Sequence, residues 1–531
     1  MLLFYALIRQ PKSNVLIMPG IVTLIATLIS IVFMFSNDWI AQPSDLSVIN
    51  QFGRWWMEFR PQVIASYTSA NFVGGLLALF LPFTLAAIWN NAVQHRLGWL
   101  IVYLLGGVII LIGLFLTSSR GAWLAIVVGV GGWVVWELSA RISKKIQRST
   151  LAIFTIISLL SLMLLIGVII VYPGGIVALA NRLPGLPTGG SRLDLAQDAV
   201  KLISDYPFTG GGLRSFPGLY SQYIMVIPNF KFGYSHNFFT DLFLELGVFG
   251  GLAWLAVTLG GLWLLLRLLT SKDSPSEYRY IAGAVGVAFI IMFEHGLVDD
   301  AIFGEQGTLF LFFLPALAVG LTRSIKIQQL DEVNESGHNG NKRKPSLQLW
   351  MGLGVVVFVM IVIGLLIGKS FILSRWYANH GAITMSHQDL AGWPFREWNS
   401  NSDVSALRPA EEDFLQSAVL QPNQRTAWHR MGLISLQARD FNQAVAQLEK
   451  AQLYDPTHRG IRKSLGYAYT WIGADDKALS LLSTISEAAG EMETYSRWWR
   501  KQQRPDLAMI SMAMSLELRN LKDLSSGEAD N

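Results

Sequence analysis

The chain has 531 residues, 52% of them hydrophobic and 15% charged, with a formal net charge of +4. Soluble domains carry about 25% charged residues, so the composition excludes a soluble protein and indicates a polytopic membrane protein. The pI near 9.0 comes from cations scattered over many short segments, which fits bilayer orientation rather than a nucleic-acid surface. The absence of cysteine excludes disulfides, thiol catalysis and thiolate metal sites.

A membrane span needs about 20 apolar residues. In chain order, such runs fall near 15–36, 71–89, 98–116, 121–138, 151–172, 238–268, 279–298, 307–322 and 349–373, which predicts about nine spans. Met1–Ile8 is too short to span, and no cleavable signal peptide is evident ahead of "IATLISIVFMF". Lysine and arginine concentrate in alternate loops, around Lys12, Arg96, Arg141–Arg148, Arg267–Arg279 and Arg323–Lys344. The positive-inside rule makes those loops cytoplasmic. Arg120, the long loop at 172–236 and everything after residue 373 are then expected outside.

The long loop is not low-complexity. "SRLDLAQDAVKLISDYPFTGGG" opens as a short amphipathic helix and ends in a glycine-rich turn. After the last span the chain becomes polar and Ala/Leu-patterned. Pro422 and Pro456 lie 34 apart (456 − 422), the tetratricopeptide period. On that register Trp428, Met431, Gly432, Ala444, Leu448 and Ala451 occupy the repeat's small and large positions. Leu465, Gly466, Tyr469, Ala478 and Leu482 repeat the pattern, and Phe414 and Pro422 supply a preceding half-unit. The expected fold is therefore all-α. A polytopic transmembrane helical bundle (1–375) carries the large external loop, and a soluble α-helical tetratricopeptide-like domain follows at 405–531. Stacked repeats of this kind expose a concave groove suited to a protein partner.

Three places concentrate polar chemistry. "KFGYSHNFFTDLFLELGVFGG" puts Lys231, Tyr234, His236 and Asn237 at the outer mouth of a span that carries Asp241 and Glu245. A lone histidine at a helix edge is ordinarily an interfacial or capping residue. Ionisable groups inside spans, however, are costly and are functional suspects. Asn237, Asp241 and Glu245 share one helical face, which is expected to line a polar cavity opening at His236, and neutral imidazole is a ready general base. In "LTSSRGAWLAI", Arg120 is either a snorkelling anchor or an anion site, since guanidinium holds phosphate oxygens bidentately. Arg192 and Arg214 bring further cations to the outer face. "FEHGLVDD" offers Glu294, His295, Asp299 and Asp300 but no HExxH spacing, so no metal site and no cofactor are expected. No Walker loop, GxSxG or GxGxxG is present.

Taken in order, "TSSRGAW", "SRLDLAQDAVKLISDYPFTGGGLRSF" and "YSHNFFTDLFLELGVFGG", with "ANFVGGLLALFLP" ahead of them, resemble the O-antigen ligase/polymerase superfamily. These are bacterial integral-membrane glycosyltransferases of cell-envelope polysaccharide biosynthesis, and their donor is a polyprenyl-pyrophosphate-linked glycan. The resemblance covers roughly 60–325. It implies His236 as the catalytic residue and Arg120, Arg192 and Arg214 as pyrophosphate ligands; Tyr234, Asn237, Asp241 and Glu245, in the polar wall at 231–245, are expected to support them. It implies transfer to an acceptor hydroxyl on the external face of a bacterial cytoplasmic membrane. Pyrophosphate is a good leaving group once Arg120 and Arg192 neutralise its charge, so no metal is expected, and direct displacement inverts the anomeric centre. The acceptor is a lipid, a glycan or a protein, the last making the chain a protein O-oligosaccharyltransferase. The competing reading is a transporter or binding protein for anionic amphiphiles, against which no internal repeat or pair of broken spans is evident.

Overall fold

The structure is a computed structural model that describes residues 12–44, 46–61, 69–171, 191–226, 233–271, 276–300, 310–336, 368–393 and 401–527. The described elements are all helical. The chain divides into two compact units. One comprises Met1–Leu193, His236–Phe239 and Leu252–Asn341. The other comprises Asp194–Ser235, Thr240–Gly251 and Lys342–Asn531.

Among the described residues, six helices are long and apolar enough to cross a membrane: Ile17–Ser36, Ala70–Val93, Leu97–Thr117, Arg120–Ile146, Phe238–Thr270 and Tyr278–Val298. Thr150–Ser161 and Phe310–Ile325 are shorter apolar stretches, lying where two further spans were expected. Most of the expected span at 349–373 falls outside the described residues, as does Lys231. In the first unit the Ala70–Val93 helix is central, with 72% of its apolar window buried, against 22% for Arg120–Ile146. Small residues permit this close packing, as is usual where no water drives helices together. A Cβ on Gly74 would sit 2.6 Å from Ser119 Cβ, and one on Gly113 would sit 2.6 Å from Ser30 Oγ. Thr23 and Thr84 hydrogen-bond between helices at 3.1 Å.

Between the first two expected spans, residues 47–59 form an amphipathic helix, Ser47–Phe59. It is anchored to the end of the first span. Trp56 Nε1 donates to Met34 O at 2.9 Å, and Arg60 Nη1 donates to Phe35 O at 2.6 Å and Asn37 O at 2.8 Å. These donors satisfy terminal carbonyls that the helix itself leaves unpaired.

The second unit contains helix pairs with a fixed offset. Arg425–Gln437 and Arg459–Trp471 begin 34 residues apart (459 − 425), as do Phe441–Tyr454 and Asp475–Leu482 (475 − 441). The close approaches repeat with the same offset. A Cβ on Gly432 would lie 2.5 Å from Leu448, and one on Gly466 would lie 2.6 Å from Leu482. Phe414 of the expected half-unit is fully buried, with Gly381 of the Lys369–Asp389 helix against its ring (2.8 Å from an added Cβ). That helix begins inside the range expected for the last span and supplies the half-unit with a partner. The loop helix Ser191–Asp205 and the chain after it share one core with these pairs. Leu195, Leu202, Tyr206, Phe216, Tyr220 and Tyr223 are buried together with Met431, Ile434, Tyr467 and Trp471.

Candidate functional site

The polar residues of the first unit gather where several helix ends meet. His236 precedes the Phe238–Thr270 helix with φ +59°, a left-handed conformation that a non-glycine residue adopts rarely and often at functional positions. Its Nδ1 lies 3.8 Å from Asp299 Oδ2, and its side chain is 26% exposed against 3% for Asp299. Asn71 Nδ2 donates to the same Asp299 oxygen at 2.8 Å. Beside His236, Asn237 Nδ2 donates to Leu297 O at 3.0 Å, and its Oδ1 accepts from Phe239 N at 3.0 Å. The histidine is thus set between a helix start and the end of the helix that closes at Val298. Asp299 joins the candidate site through this contact, whereas its sequence context suggested only a metal ligand. Its signal was the aspartate pair directly after an apolar run. Among the described residues no three His, Asp or Glu side chains gather as metal ligands.

Arg120 opens the Arg120–Ile146 helix and is exposed. A left-handed Ser118 (φ +48°) reverses the chain from the preceding helix. An added Cβ on Gly121 would lie 2.9 Å from Val298 Cγ2 and 3.9 Å from His295 Nε2. Arg120 therefore starts its helix next to the residue that precedes Asp299. Arg192 belongs to the Ser191–Asp205 helix, and its side chain lies outside the described residues.

In the second unit the two glycine-rich motifs are backbone partners. Gly247 breaks the Phe238–Thr270 helix with φ +66° and ψ −177°, a region essentially restricted to glycine. The "PFTGGG" turn enters the break. Gly211 N donates to Leu244 O at 2.6 Å, Gly212 N to Glu245 O at 3.2 Å, and Val248 N to Pro207 O at 2.8 Å. A break in an apolar helix is tolerated only when the freed amides and carbonyls find partners, and here the turn supplies them. Asn379 steadies the turn, accepting from Phe208 N at 3.0 Å and donating to Thr209 Oγ1 at 2.8 Å.

The carboxylates expected to line a cavity serve the chain itself. Asp241 is buried and accepts Ser235 N at 3.2 and 3.0 Å, one residue before His236, while Ser235 Oγ meets Thr240 Oγ1 at 2.6 Å. The Glu245 carboxylate interacts with the Arg214 backbone amide and guanidinium. Arg214 is itself left-handed (φ +57°) and exposed. Tyr234 is half-buried in the approach to His236.

Residues 105–255 match the family model described as O-Antigen ligase. The matched stretch holds Arg120, the loop helix, the glycine turn, His236 and the Gly247 break, whereas Asn71 and Asp299 lie outside it. No curated protein and no solved structure matches the chain. The match supports a likeness to the ligase/polymerase superfamily over that stretch, and the apolar helices of the described residues fit a multi-pass membrane protein.

Proposed function

We propose that this protein transfers a glycan from a polyprenyl-pyrophosphate donor to an acceptor hydroxyl at the external membrane face, with His236 as general base. The observation that carries the reading is the set His236–Asp299–Asn71. A base needs an orienting partner, and the buried, hydrogen-bonded Asp299 beside Nδ1 is placed to stabilise the imidazolium that forms during the reaction. In the step, the acceptor oxygen attacks the anomeric carbon while His236 takes its proton. The bond from that carbon to the pyrophosphate oxygen breaks, and the lipid pyrophosphate departs. Direct displacement inverts the anomeric centre.

Arg120, with Arg192 and Arg214, supplies the positive charge that a departing pyrophosphate requires. Guanidinium groups provide it without a metal. The reading adopts the sequence expectation of about nine spans with the N-terminus inside, and with it an external location for this chemistry at a bacterial cytoplasmic membrane. The 34-residue offset of the helix pairs supports a tetratricopeptide assignment for that region.

The test is a transfer assay with the purified full chain, a polyprenyl-pyrophosphate glycan and acceptors of the lipid, glycan and protein classes. Glycan transfer with stoichiometric release of polyprenyl pyrophosphate is expected. Binding of the donor without any cleavage would instead support the amphiphile-binding reading.

A further inference from the structure

Equivalent positions of two successive helix pairs address one segment of this same chain. Arg425 Nη1 is 2.7 Å from Asp205 Oδ1, and Thr426 Oγ1 donates to that oxygen at 2.7 Å. Arg430 Nη2 is 2.9 Å from Asp205 Oδ2, with neither side chain exposed. Arg459 stands 34 residues after Arg425; its Nη2 pairs with Glu487, and its Nη1 lies 4.0 Å from Asp198 Oδ2. Between them, Lys201 Nζ reaches Asp455 at 2.8 Å. Asp198 and Asp205 are seven residues apart on the loop helix, about 10.5 Å along its axis at 1.5 Å per residue.

The chain after the loop helix is seated on the same surface. The Arg430 guanidinium lies 3.1 Å from the Tyr223 ring centroid, Tyr495 Oη donates to Val226 O at 3.1 Å, and Tyr223 Oη donates to Asp389 Oδ2 at 3.0 Å. Gly460 is needed for this fit, because a Cβ there would stand 1.9 Å from Tyr223 O.

We infer that the repeat helices bind this chain's own loop, residues 194–226, as a built-in peptide ligand, and that Arg425 and Arg459 are positioning residues for the transfer reaction. The inference rests on the function proposed above. A separate protein partner or acceptor would have to displace buried ion pairs to use the same surface, so the expected open partner groove is replaced by an internal one. The repeats act on catalysis by fixing the segment that carries Arg214 and leads to His236. Removing residues 405–531 then abolishes transfer to every acceptor, small soluble ones included.

The test uses the full-length protein carrying Gly460→Ala, which improves helix propensity and adds only the methyl group that meets the loop. Gly490→Ala, on a helix with open space at that position, is the control, and Tyr495→Phe is a milder variant that removes one hydrogen bond. Hydrogen exchange at 216–226 and steady-state transfer are both read. Gly460→Ala is expected to speed exchange there at least tenfold and to lower kcat at least tenfold at saturating acceptor. Tyr495→Phe should show a smaller change of the same sign, and Gly490→Ala none. Unchanged exchange, or a loss that saturating acceptor cures, would overturn the inference. Wild-type protein that shows no transfer at all would sink the transferase reading alone, since exchange reports the seated loop independently of activity.

Discussion

Asp299 Oδ2 stands 3.8 Å from His236 Nδ1 and accepts a 2.8 Å hydrogen bond from Asn71, so one buried carboxylate oxygen joins the end of one apolar helix to the start of two others. An orienting carboxylate matters most once the imidazole has taken a proton. Asp299→Asn is therefore expected to lower kcat by about 10- to 1,000-fold while changing the donor KM little. Asn71→Ala should cost less, since the carboxylate remains. Steady-state transfer kinetics check both. Full activity in Asp299→Asn would remove the orienting role.

Arg120→Lys is expected to fail nearly as badly as Arg120→Ala, because an ammonium point charge does not reproduce the two-pronged guanidinium contact with phosphate. Measured donor KM and kcat for the pair of variants decide the matter. Rescue by lysine would mark Arg120 as an interfacial anchor.

Gly247→Ala is expected to destabilise the protein by at least about 1–3 kcal/mol, the usual cost of forcing such a backbone conformation. The added methyl would also lie 2.4 Å from Phe208 O. Gly131→Ala, with nothing near the added methyl, should be neutral. Thermal unfolding in detergent compares them.

That glycine shows what the sequence made legible and what it did not. The apolar runs, the amphipathic start of the loop helix and the 34-residue period were all readable, because each is a local pattern. The role of Gly247 was not, since a glycine in an apolar helix carries no local sign that a turn some forty residues earlier enters the break. Asp299 was missed for a related reason. Its partner His236 is remote in sequence, and an aspartate after an apolar run suggests a metal or a cap as readily as a second-rank catalytic partner. Asp241 and Glu245 were expected to line a polar cavity, whereas Asp241 accepts the Ser235 amide and Glu245 interacts with Arg214. The loop helix was visible as an element. Its seat on Arg425 and Arg459 was not, because pairing across more than two hundred residues leaves no trace in either segment alone.

The pH dependence of the helical unit follows from its buried charges. Burial and the neighbouring Arg430 hold His429 well below its usual range, and burial does the same to His458. Both are neutral when folded, so their contribution is present above about pH 6.5 and is lost as pH falls below it. Burial raises Asp205, but Arg425 and Arg430 more than offset this and hold it below the usual carboxylate range. Its contribution is present above about pH 4 and is lost on further acidification. Asp198, pushed up to about 6 by burial, works in the opposite sense, its contribution declining as pH rises through that value. Net loss of stability is expected below about pH 6.5. Asp205→Asn should cost about 3–5 kcal/mol at pH 7 by stranding a buried arginine, with the deficit shrinking below about pH 4. Unfolding followed across pH checks the sign. A deficit independent of pH would refute the ion-pair account.

The most direct test of the account is single-turnover transfer by purified His236→Ala beside wild type, with donor binding measured on both. Removing the base leaves the Asn71–Asp299 hydrogen bond between helix ends in place, so folding and donor affinity should be preserved while the rate falls about 100- to 10,000-fold. Transfer at more than about a tenth of the wild-type rate, with donor bound normally, would contradict a general-base role for His236 and the mechanism built on it.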